Sequence, residues 1–326
     1  MGIVRVQSVI IALSLALASP WFVSGAAAQE KDAGTTVSSV VVTAPRSPKV
    51  VQARSGAFVR SYAAVPNPEI GQIGRWHDPV CVQVIGLAQA DQAAMIKARI
   101  EGVARAVGLP AARAGCRANV EIVFTSEPQR VMDVVAKRRE YLLGYDHLSE
   151  RDRLKTVTRP IQAWYVTATR GEGTGSAVMA LTAGLGKYSP SQVDVIDDPH
   201  IQPPNGCADS RIATTCLQSS LHNVFVVADS KALEGKDLGL VADYLVMPAL
   251  SQPRSLDGCG ALPSVLDLFT KPACADRDAP DGLTAADAAY LTALYAADLR
   301  ARKTGEQPDI AERMAKILIE AQAGGR

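Results

Sequence analysis

The stretch that most constrains the fold is 222–250, HNVFVVADSKALEGKDLGLVADYLVMPAL. Residues 223–228 are rich in Val and Phe and read as a buried strand. A polar turn follows. From 238 onward Leu238, Leu240, Val241, Ala242, Tyr244, Leu245, Val246 and Met247 leave almost no polar face. A helix apolar all round has to be covered on nearly every side, so 237–250 is expected to be the spine of a domain. Asp237 is placed to cap it. Pro248 is expected to kink or end it, and Asp243 is its one interior charge.

Upstream, 79–87 (PVCVQVIGL) alternates apolar and polar residues and reads as a strand. Ala90, Ala93, Ile96, Ile100, Val103 and Val107 recur at helical spacing, and Gly108 and Pro110 stop that helix. Residues 119–125 (NVEIVFT) form the next strand, so the three pieces make a βαβ unit with adjacent strands and a right-handed crossover. A helix over 127–143 is expected to turn Val131, Val134, Val135 and Tyr141 inward. Residues 161–169 (IQAWYVTAT) read as a strand with a hairpin partner at 176–183, and 184–220 as a long loop. Thr284 and Asp287 open a helix over 283–302 with a capping-box pattern. A last helix starts at Pro308 and buries Ile310, Met314, Ile317 and Leu318. The fold class is therefore α/β or α+β, a mixed sheet of about four to five strands with C-terminal helices.

The N-terminus reads as a signal peptide over 1–28: Arg5, an apolar run at 9–18, and Ala26-Ala27-Ala28 before Gln29. Residues 29–70 are rich in small and polar residues and read as a disordered leader, leaving 71–326 as a single domain. No later apolar run is long enough for a membrane helix. The expected compartment is periplasmic or extracellular. In an oxidising compartment an even set of 6 cysteines reads as a disulfide framework. The preferred pairing joins sequence neighbours, Cys81–Cys116, Cys207–Cys216 and Cys259–Cys274. No CxxC or Cys/His cluster marks a zinc site. A net charge of +1 with scattered basic residues argues against nucleic-acid binding.

The order of elements, with LTAADAAYLTALYA at 283–296 and RWHDPVCVQVIG at 75–86, resembles the zincin-type metallopeptidase layout. The same two stretches resemble an uncharacterised exported proteobacterial envelope family. The resemblance implies a mixed sheet backing an active-site helix at 237–250. Peptidases of that kind carry two His and a Glu on this helix, and residues 237–250 contain neither. No zinc ligand is carried over. Residues 39–46 (SVVVTAPR) also resemble a TonB-box segment, which implies a partner in the envelope whose sheet edge it joins.

Motifs for catalysis are absent. GEGTG at 171–175 lacks the Lys-Ser/Thr of a phosphate loop. No GxSxG elbow is present, and Ser176 and Ser219 stand in no nucleophile context. His77, His147, His200 and His222 are isolated in sequence. The densest polar cluster is Asp194, Asp197, Asp198 and His200, which could hold a hard cation or form an acid/base pair. Asp243 and Tyr244 are the second candidate, either a pocket floor or a structural pair in which Asp243 caps a loop or meets an Arg such as Arg254. The expectation is a non-catalytic binding protein without cofactor. The alternative is a metal-dependent hydrolase that draws on the 194–200 loop and His222.

Overall fold

The computed structural model describes residues 47–65, 72–143, 152–171, 217–269, 279–297 and 305–324, which belong to one unit, Pro45–Arg326. In chain order these form α1 (Pro48–Tyr62), β1 (Val82–Ile85), α2 (Ala90–Ala106), β2 (Val120–Thr125) and α3 (Pro128–Arg138). Then come β3 (Ile161–Gly171), β4 (Leu217–Asp229), α4 (Leu238–Leu250), α5 (Ala285–Ala296) and α6 (Glu306–Gly324). The sheet has the order β1-β2-β4-β3, with β1, β2 and β4 parallel and β3 antiparallel to β4. The class read from sequence, a mixed sheet with a βαβ start and C-terminal helices, is the one observed. No helix among the described residues is long and apolar enough to cross a membrane.

Side chains alternate across the sheet, and its two faces carry separate cores. Val120, Ile122, Val224, Val226 and Ala228 face the larger core, which also holds Ile96 and Ile100 of α2, most of α4, and Tyr290, Leu291 and Leu294 of α5. Phe225, Val227, Trp164 and Val166 face the other side, where Met132 of α3 covers them. Trp164 stacks on Phe225 with ring centroids 5.6 Å apart.

The spine is as expected. Asp237 caps α4 by accepting a hydrogen bond from Leu240 N at 2.9 Å, and nine of its residues from Val241 to Leu250 are buried. The helix runs two residues past Pro248. It stops at Ser251, whose hydroxyl and N–H both donate to the Met247 carbonyl, at 2.7 and 3.0 Å. The capping box at Thr284 and Asp287 also forms.

Three expectations need correction. The stretch 29–70 is not disordered throughout, because 48–62 is helix α1. Pro48 starts it, and Val51, Phe58, Val59 and Tyr62 make a buried stripe that packs on α6. In α3 it is Met132 that is fully buried, while Val134 points to solvent at 49 % exposure. The helix ends at Arg138, and a 3-10 turn over Glu140–Leu143 follows. The strand β3 pairs with β4 from Ile161–Ala228 to Gly171–Leu217, with a bulge at Val166/Thr167. The expected hairpin strand at 176–183 lies outside the described residues. Finally, β4 starts at Leu217, inside the stretch read as loop, because its first residues pair with β3 and Arg75 bridges Ser220 on the other side.

Candidate functional site

Asp243 and Tyr244 are occupied with structure. The Asp243 carboxylate pairs with Arg99 of α2, not with Arg254, and its other oxygen accepts the Leu283 N–H at 3.0 Å. A Cβ at Gly282 would sit 2.8 Å from that same oxygen, so the chain approaches Asp243 closely only because 282 is glycine. One carboxylate thereby ties α4 to α2 and to the entrance of α5. Arg99 reaches it because α2 packs directly against α4. The backbone N–H of Arg254 donates to the Tyr62 carbonyl at 2.8 Å. The Tyr244 ring is buried and meets Phe269 edge-on at 4.8 Å. Burial pushes its phenol well above the ordinary range. Of the two readings, the structural pair is the one these contacts match, with the Tyr244 ring in filled core.

Other interior ionisable groups also join elements. Arg75 and Glu306 form a buried ion pair. Arg75 Nη1 donates to the Leu294 carbonyl at 2.6 Å, and Glu306 accepts the Ile73 N–H at 2.6 Å. The segment 72–76 is thus tied to the end of α5 and the start of α6. Asp287 accepts from Ser264 Oγ at 2.6 Å and Val265 N at 2.7 Å as well as from the Thr284 cap. Burial raises its carboxyl above the usual range while those hydrogen bonds oppose the rise.

Of the four histidines, His77 and His222 are among the described residues. His222 lies on β4, and burial, with Arg117 second, holds its imidazole below the ordinary value while Asp78 opposes them. Ser219 is buried, and its carbonyl accepts from Arg75 N at 3.4 Å. Asp194, Asp197, Asp198, His200, Ser176 and segment 39–46 lie outside the described residues. No group of three or more His, Cys, Asp or Glu among the described residues could hold a metal. Cys81–Cys116 is a disulfide. Cys259 is also bridged, to a cysteine outside the described residues, so its pairing with Cys274 and the Cys207–Cys216 bridge are not described.

A cavity of about 510 Å³ opens beside the Cys81–Cys116 bridge, between the outer edge of β1, α2 and the 112–118 loop. At its floor Val82 N–H donates to Glu101 Oε1 at 3.3 Å, and Lys97 Nζ donates to the Val82 carbonyl at 3.1 Å. Lys97 and Glu101 are themselves paired at 3.1 Å. Arg113 lines the opening and is exposed, with no carboxylate partner among the described residues. The disulfide fixes this loop to the start of β1. Sequence reasoning missed these residues. The only local trace was an i,i+4 Lys-Glu pair, which ordinarily marks a solvated helix face.

Comparison with known protein families, curated proteins and solved structures finds no match to this chain.

Proposed function

We propose that the chain is an exported cell-envelope protein that binds a ligand or partner and does not catalyse a reaction. Its scaffold would be zincin-like in layout but lacks the zinc-binding helix. The observation that carries this reading is where the ionisable groups are committed. Asp287, Arg75 and Glu306 are bonded between elements in the interior, and the partly buried Asp243 ties α4 to α2 and to the entrance of α5. The cavity beside the disulfide instead offers sheet-edge backbone, one ion pair and a guanidinium with no carboxylate partner among the described residues. That is recognition chemistry, polar groups that orient a ligand.

Export is supported by the charged and apolar N-terminus and by a disulfide, which persists in oxidising compartments. The scaffold reading is supported by the passage from β4 through a polar turn into the buried α4. Partner recognition through 39–46 belongs to the same reading.

Hydrogen exchange of the full chain, with and without fractionated cell-envelope extract, tests it. Protection of amides at 81–84 and 112–118 is the expected result. Zinc or calcium near one per chain, together with hydrolytic turnover and no protection at the cavity, overturns it.

A further inference from the structure

Resting on that reading, we infer that the cavity takes the C-terminal end of an extended peptide, which adds as a strand to the outer edge of β1 and sets its terminal carboxylate on Arg113. Alternate residues of a strand face opposite neighbours. The Cys81 carbonyl accepts Asn119 N at 3.0 Å and Val120 N at 3.1 Å on the β2 side, so Val82 and Val84 face outward. Val82's outward N–H and carbonyl are met by Glu101 and Lys97. Between them these two side chains supply one acceptor and one donor, which is what one residue of an added strand would supply. The ion pair stands in for a missing strand residue.

That stand-in is displaceable. Lys97 is 43 % exposed and Glu101, at 18 %, sits 3.3 Å from Val82 N, so one solvated side chain and a long bond hold the place. Two residues on, no partner for Val84's outward groups occurs among the described residues. The disulfide and the 112–118 loop line the cavity at the start of β1, where a strand added antiparallel to β1 ends. Arg113 lines the cavity from that loop and is exposed, and a guanidinium pairs with a carboxylate through two parallel hydrogen bonds. Lys97 and Arg113 against Glu101 leave the site net positive, complementary to a terminal carboxylate.

The experiment uses the full chain with two random decapeptide pools free of Asp and Glu, one with free C-termini and one amidated. Selected peptides are then measured by fluorescence polarisation. Free-acid peptides bind, and amidation weakens them at least tenfold. Arg113→Glu loses the same tenfold without a change in melting temperature. The double variant Lys97→Ser/Glu101→Ser binds several-fold tighter because the stand-in is gone. N-methylation at alternate peptide residues abolishes binding while leaving the protein untouched. Equal binding of acid and amide, or indifference to N-methylation, overturns the inference. If no peptide binds but extract still protects 81–84, this inference falls and the binding reading stands. If both fail, both fall.

Discussion

Asp243 is the one charge on a helix that is otherwise apolar, and its two bonds explain why it is tolerated. Burying a carboxylate is costly unless its oxygens are met; here Arg99 meets one and the Leu283 N–H the other. Asp243→Ala is expected to lower stability by about 1–2 kcal/mol in urea titration, mostly from the orphaned Leu283 N–H. Arg99→Ala is expected to cost less than about 1 kcal/mol, because that side chain is nearly half exposed. His222 gives a pH signature. Its imidazole titrates below the ordinary value near 6.5, so between the two values the unfolded chain binds more protons than the folded one. Its contribution is present above the ordinary value and is lost as pH falls below it. His222→Gln should therefore lose less stability than the natural chain between pH 7 and pH 5, read from urea midpoints.

At the scale of elements, the buried Arg75–Glu306 pair locks the extended segment before β1 to α5 and α6. Removing one partner of a buried pair strands the other charge, so Glu306→Ala is expected to cost about 3–5 kcal/mol. The double variant Arg75→Met/Glu306→Leu should recover most of that loss in the same titration. The sequence was informative where the signal was continuous. The unbroken apolar run of α4 and the Thr284–Asp287 capping box identify themselves locally. By contrast, α1 was hidden because Val51, Phe58, Val59 and Tyr62 are separated by Ala, Arg, Ser and Gly, and that composition resembles a linker. The first turns of β4, Leu217 to Ser220, show no alternation of apolar residues. Their strand geometry comes from pairing with β3 and from the bridge to Arg75, both long-range.

In the whole molecule the parallel core of the sheet, the spine α4 and the disulfide divide the work. Cys81–Cys116 closes a loop with a sequence separation of 35. Replacing both cysteines with Ala is expected to cost about 4 kcal/mol by the loop-entropy relation, measured as a fall in denaturation midpoint. The candidate site was the least legible part. It is made where a sheet edge, a helix face and a bridged loop meet; the strand, helix and bridge each left a trace in the sequence, but their meeting is long-range. The helix that a likeness to peptidases would single out is instead filled core.

Thermal melting of three proteins with fractionated envelope extract tests this division most directly. The wild type and Asp243→Asn should both gain melting temperature on adding extract, Asp243→Asn from a lower starting point, while Arg113→Glu gains nothing. A gain kept by Arg113→Glu and lost by Asp243→Asn would place the site on α4 and contradict the account.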